Sequence, residues 1–250
     1  MNKVGLVLLF VLVSSLPAFA FVIPLSEQGQ AHSQAPLHSA VIGPDWGIER
    51  IDFIHYANGK TVVHPAKPAK PTVCYKLLGY SWKTTPVNYY INPTNSQGLS
   101  SSFVTSAFST AAETWDDATS KELFNNAYAV DTSAVYGVRD GKNSIVFGSY
   151  PNSGVIAVTS IWFSRKNREL VEFDQLYNTY FAWGDSSVNP ALMDLQNIAT
   201  HELGHGVGLD DIYTSSCSAV TMYGYSYEGD LAKRTLETAD ITGLRLMYGN

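Results

Sequence analysis

The stretch Ala199-Thr200-His201-Glu202-Leu203-Gly204-His205-Gly206-Val207-Gly208-Leu209-Asp210-Asp211 constrains this chain more than any other. On a helix, at about 100° per residue, His201 and His205 point within about 40° of each other. Two imidazoles one turn apart on one face can reach a single metal ion. Glu202 lies about 100° round from His201, near such a metal without aiming at it. A general base for a water activated by that metal should stand there. Leu192, Leu195, Ala199 and Leu203 fall on the opposite face and would bury the back of the helix. A bare His-Glu-x-x-His is usually an ordinary solvated helix, but the residues after His205 weigh against that reading here. Gly208 can take a positive φ and end the helix in a sharp turn, so that Asp211, three residues on, can return to the same metal.

The histidines sharpen the choice of a third ligand. They are His32, His38, His55, His64, His201 and His205, so a third imidazole would have to come from the N-terminal region. Zinc accepts carboxylate oxygen as readily as imidazole nitrogen. Asp211 is therefore the natural third ligand, with Asp210 the weaker candidate beside it.

These residues resemble the signature of the metzincin zinc peptidases, His-Glu-x-x-His-x-x-Gly-x-x-His, with Asp211 in place of the last histidine. Ala219-Val220-Thr221-Met222-Tyr223-Gly224 is similar to the methionine turn that lies beneath the metal in that clan. The closing stretch Leu236–Gly249 resembles the final helix of matrixins, the subfamily of matrix metalloproteinases. The likeness spans roughly residues 85–249. It implies an α+β catalytic domain: a twisted mixed sheet whose edge strand runs above a zinc-bearing helix. It also implies zinc-dependent hydrolysis of a peptide bound as an added strand, with His201, His205 and Asp211 on Zn²⁺, Glu202 as general base and Met222 packed under the ligands.

The resemblance has limits. Matrixins carry a cysteine in a Pro-Arg-Cys-Gly propeptide motif that caps the zinc, and this chain has no such motif. Their structural zinc needs three histidines ahead of the catalytic helix, and the domain has none there. Astacins and serralysins place a metal-binding tyrosine two residues after the turn methionine. That position here is Gly224, flanked by Tyr223 and Tyr225, which are expected to line the substrate pocket or the core. Asp174 falls where matrixins hold calcium, with Asp140, Asp185 and Asp194 as scattered further candidates for Ca²⁺.

Two other readings compete. A gluzincin-type peptidase would take its third ligand from a later glutamate, Glu228 or Glu237, and would leave Gly208 and Met222 without a role. An exported, non-catalytic zinc-binding module would need no Glu202, and structural zinc sites are usually closed by four ligands where only three are evident here.

The rest of the chain frames this domain. With 45% hydrophobic and 15% charged residues it is globular. A formal net charge of -6, with no basic run, argues against nucleic-acid binding. Residues 1–20 read as a signal peptide: Lys3, an apolar run from Val4 to Val13, then Ala18-Phe19-Ala20 as a cleavage site. The run is too short to span a bilayer. Export to the extracellular space is therefore expected, with no membrane association after removal of the signal. The mature protein is expected to act as a monomer.

Residues 21–72 form an extension that is either a propeptide or a poorly ordered arm. Ile48 to His55 alternates weakly and could be one strand. Residues 64–71, with three prolines in eight residues, read as an extended linker. Residues 73–250 are the catalytic domain. Its expected elements are a strand at 87–91, a helix from a Ser100–Ser102 cap to about Ala118, and strands at 144–147, 156–163 and 170–177. The catalytic helix is expected to be capped by Asn189 with Pro190 at its first position. Cys74 and Cys217 are the two cysteines. In an exported chain they suggest a disulfide tying the N-terminal segment to the loop between Asp211 and Met222. The rival is Cys74 as a zinc-capping thiolate.

Overall fold

The computed structural model describes residues 40–41, 47–57 and 73–250, all within one compact unit spanning Ala35–Asn250. The expected signal peptide, most of the extension and the proline-rich linker lie outside the described residues.

In chain order the elements are β1 (Ala40–Val41), β2 (Ile48–Ala57), β3 (Tyr90–Ile91), α1 (Ser101–Asp116), β4 (Ala129–Val130), β5 (Ser144–Gly148), β6 (Val155–Ser164) and β7 (Glu169–Asn178). They are followed by β8 (Trp183–Gly184), β9 (Met193–Asp194), α2 (Leu195–Gly206), β10 (Tyr225–Ser226) and α3 (Thr238–Tyr248). Most strands form one mixed sheet in the order β1-β2-β6-β7-β5-β3-β4, with β10 joined to β2, while β8 and β9 pair separately. β6 runs antiparallel to β7, and β7 parallel to β5. β6 turns one face to the helices and is flanked by β2 and β7, while Arg50 and Tyr136 cover Ser160 and Trp162 on its other face, so it is buried throughout. This is the α+β architecture expected of a matrixin-like domain.

α1 begins where Ser100 accepts a hydrogen bond from Phe103 N, and it ends two residues before the expected Ala118. Its apolar stripe, Ala107, Phe108, Ala111 and Trp115, is buried. Trp115 Nε1 donates to Thr200 O at 2.8 Å, which fixes α1 against α2.

The start of α2 differs from the expectation. Asn189 caps only a tight turn, accepting from Ala191 N, and Pro190 lies in that turn. Met193–Asp194 first pairs with Trp183–Gly184 as a short parallel ladder, so the chain is extended until Asp194. Asp194 is the true cap: its Oδ1 accepts from Asn197 N at 2.9 Å. Arg234 Nε donates to the same carboxylate at 2.8 Å, tying the cap to the segment ahead of α3. Leu195, Ala199 and Leu203 form the fully buried back of α2 as expected, but Leu192 lies before the helix.

A second difference concerns β6. The strand expected at 156–163, an edge strand above the metal by the resemblance and an edge or an internal strand by its residues alone, is internal in this chain. β2, from the N-terminal extension, pairs antiparallel with it from Ile48↔Ser164 to Tyr56↔Val155. The weakly alternating segment is thus a ten-residue strand of the main sheet.

Cys74 and Cys217 are joined as a disulfide across 143 residues, with Cα atoms 5.4 Å apart. Cys74 is therefore not a capping thiolate here. In the chain-entropy picture a loop of that length is worth up to about 5 kcal/mol. Cys74→Ser with Cys217→Ser should lower the melting temperature by roughly 5–15 degrees, at about 2–4 degrees per kcal/mol for a domain of this size. An unchanged melting curve would mean that the bridge adds nothing to stability.

Candidate metal centre

α2 presents His201 and His205 on one face, and the turn after it returns the chain to them. Gly208 has φ of +101°, a backbone conformation that strains any L side chain, and a Cβ there would lie 2.5 Å from Tyr80 O. The turn is secured by Tyr248 Oη donating to Val207 O at 2.9 Å and by Trp82 Nε1 donating to Gly206 O at 2.7 Å. Asp211 then comes back beside the histidines. Its Oδ1 is 3.2 Å from His201 Nε2 and 3.5 Å from His205 Nε2, and all three side chains are buried.

The donor set fits a divalent metal. His201 Nδ1 donates to Thr221 O at 2.7 Å and His205 Nδ1 to Leu209 O at 2.9 Å. Each ring thereby carries its proton on Nδ1 and turns the Nε2 lone pair toward Asp211. His201 Nε2 and Asp211 Oδ1 are buried without a hydrogen-bond partner. Two buried acceptors facing each other are costly unless a cation lies between them. Although burial works against ionisation, positive charge in this cluster, carried by His205 and His201 when they are protonated or by a cation bound in place of those protons, holds the Asp211 carboxyl well below the usual carboxylate range. It therefore stands ready as an anionic ligand.

Among the described residues, His201, His205 and Asp211 form one group that could hold a metal, and His55, His201 and Glu202 form the other. Glu228 and Glu237, the gluzincin candidates, are exposed and belong to neither. Asp210 turns away and pairs with Lys76 Nζ at 2.5 Å.

Glu202 is fully buried beside the triad. Thr159 Oγ1, from β6, donates to its Oε2 at 2.5 Å. Burial pushes the carboxyl up to about 7, where a group can both take and return a proton near neutrality.

Met222 is buried beneath α2. A Cβ on Gly204 would strike Met222 Sδ and lie 2.7 Å from Trp115 Cζ2, so only glycine lets the turn come this close. Asp240 of α3 holds the turn by accepting from Thr221 N at 2.8 Å and Met222 N at 3.2 Å. It also accepts from Glu237 N at 3.0 Å in the capping box of α3. One carboxylate thus links the closing helix to the carbonyl of Thr221 that orients His201.

Four residues in or near the site were not singled out from the sequence. Tyr213 Oη donates to Asp211 Oδ2 at 2.8 Å, leaving Oδ1 for the metal. Its ring occupies the space over Gly224, where a Cβ would collide with it. Gly224 is therefore the glycine that admits a tyrosine from a different direction than the one the turn methionine suggests. Lys233 is buried and donates to Tyr223 O at 2.5 Å and Tyr225 O at 2.7 Å. Burial lowers its amine to about 8. Thr159 and His55 complete the set, and His55 had only one signal: a shared strand face with Ile51 and Phe53.

Tyr213→Phe should weaken zinc binding about 10–100-fold, the scale of a lost partner to a ligating carboxylate, with the fold intact. Chelator competition measures this, and an unchanged affinity would deny Tyr213 that role.

Each of the four calcium candidates has partners within the protein, Asp140 Oδ1 accepting from Lys142 N at 3.0 Å. Asp174 accepts from Gly137 N at 2.7 Å and Ser144 N at 3.1 Å, and burial raises its carboxyl to about 7. Asp185 and Asp194 both pair with Arg234. These contacts lend a calcium site no support.

No curated protein matches the chain in sequence. The matrixin family model matches it over residues 81–249, which takes in α1, the strands from β3 to β10, the catalytic helix and the closing helix. A catalytic helix with a buried two-histidine face, a returning carboxylate, a methionine turn beneath it and a family match over most of the chain lead to one conclusion: this chain belongs to the matrixins, as a zinc metalloendopeptidase acting on peptide substrates.

Proposed function

We propose that the chain hydrolyses peptide bonds with His201, His205 and Asp211 holding the zinc and Glu202 serving as general base. When bound there, zinc supplies Lewis acidity to an attacking water and to the scissile carbonyl. The observation that carries the reading is the preformed triad of Nε2, Nε2 and Oδ1 atoms, two of them buried without partners, with Glu202 alongside. Glu202 Oε1 takes the proton of the attacking water and returns it to the leaving amine. Thr159 holds the other oxygen still. Met222 and Asp240 keep the helix and its histidines in register without touching the reacting atoms.

The extended substrate is read as pairing with the edge of β6 that β2 covers in this structure, the strand that carries Thr159 beside Glu202. Residues 1–20 are read as directing export, which makes the enzyme an extracellular one. The oxidised Cys74–Cys217 pair supports this, since such bridges persist in oxidising compartments. Hydrolysis of casein, lost on chelation and restored by zinc, tests the activity. A zinc-loaded chain that never cleaves casein, even after removal of residues 21–72, would favour the non-catalytic zinc module.

A further inference from the structure

The most telling feature outside the metal triad is what covers it. β2 lies between β6, with which it pairs along its whole length, and β10, which pairs in parallel with Tyr56 and Ala57. It fills the channel where an extended peptide would lie against β6. Its side chains alternate as a bound strand requires. On one face Phe53 stacks on His205, with centroids 4.2 Å apart and planes 15° apart. His55 lies over His201, and its Nδ1 is 3.0 Å from Glu202 Oε1. Lys233 Nζ approaches His55 Nε2 at 3.4 Å. An ammonium can only donate, so Nε2 accepts and the Nδ1–H donates to Glu202.

On the other face Arg50 Nη2 donates to Ser160 Oγ at 2.9 Å, which in turn donates to Asp52 at 2.8 Å. The Arg50 guanidinium also lies over Trp162.

His55 does not extend the metal triad. The His201 and His205 rings are 4.9 Å apart with both Nε2 atoms facing Asp211 Oδ1, whereas the His55 ring lies 4.0 Å from His201 with its Nδ1 turned to Glu202. It sits instead on the one oxygen of Glu202 that the attacking water needs.

We propose that residues 48–57 are an inhibitory strand of this enzyme, occupying its own peptide channel while His55 holds the general base, so that the full chain is latent. The inference rests on the peptidase reading above. A tethered strand competes at an effective concentration on the order of millimolar. A free peptide at micromolar levels cannot displace it. Release therefore requires cutting the connection at 58–72 or weakening the strand itself.

The test uses the full zinc-loaded chain, a fluorogenic peptide and a peptidyl hydroxamate as probes. Phe53→Ala with His55→Ala should raise peptide hydrolysis and hydroxamate affinity, by calorimetry, at least about tenfold over the unaltered chain. Backbone amides of residues 155–164 should also exchange faster. As a second route that leaves the site untouched, a specific protease site is placed within 58–72, and nicking it should raise both readouts on dilution. An unaltered chain already as active and as tightly binding as these forms overturns the inference and leaves the peptidase reading standing. If no form cleaves peptide or binds hydroxamate although zinc is held, both fall together.

Discussion

Glu202→Gln is expected to retain zinc and to lose at least about a hundredfold in turnover, in any form of the chain that cleaves casein. That loss corresponds to about 2.7 kcal/mol of transition-state stabilisation. The substitution keeps the volume of the side chain and an oxygen for the Thr159 hydroxyl, so the helix has no reason to move. It removes only the ability to take a proton. Zinc analysis beside turnover separates the two roles. Wild-type turnover with zinc fully bound would remove Glu202 from the mechanism, and loss of zinc would make it a ligand.

Asp211→Ala should have the larger effect on the metal. It leaves two imidazoles and breaks the bond from Tyr213, so zinc affinity should fall well beyond the 10–100-fold of an outer partner. Asp211→His should restore a three-ligand site, since imidazole nitrogen also suits zinc. Asp210→Ala should change little, because its carboxylate is spent on Lys76. Dialysis against graded chelator reads all three. Metal loss from Asp210→Ala and not from Asp211→Ala would show that the wrong carboxylate had been assigned, and metal loss from Glu228→Ala or Glu237→Ala alone would favour the gluzincin arrangement.

The features legible in the sequence were local ones. The helical spacing of His201 and His205, the buried stripe of Leu195, Ala199 and Leu203, and the positive φ at Gly208 all depend on neighbours within a few residues. So do the strands at 144–148, 155–164 and 169–178, which stand close to their expected bounds. The cap of α2 is Asp194, although Asn189-Pro190 is a valid start signal on its own. The ladder between Trp183–Gly184 and Met193–Asp194, a tertiary pairing, overrides it.

The contacts that complete the site come from long range. Tyr213 reaches Asp211 through space left by Gly224, and Lys233 caps carbonyls eight and ten residues away. His55 meets Glu202 across 147 positions. The sequence showed that any further histidine near the metal must come from the N-terminal region. It carried nothing to say that β2 would choose the free side of β6, because pairing partners of strands leave no local mark.

The latent arrangement also explains why the chemical face of α2 is as buried as its back. An amphipathic helix bearing a working site should leave one face open to substrate. Here His201, Glu202 and His205 are all within 1% of complete burial, and Phe53 and His55 are the side chains that cover them.

The assignment of ligands and base depends on where the metal sits. A crystal of the zinc-loaded full chain, with diffraction recorded at the zinc edge, tests this most directly. The prediction is one anomalous peak about 2.0–2.2 Å from His201 Nε2, His205 Nε2 and an Asp211 oxygen, with Glu202 beside it and outside bonding distance. A peak bonded to Glu202, Glu228 or Glu237, or no peak between the two histidines, would contradict it.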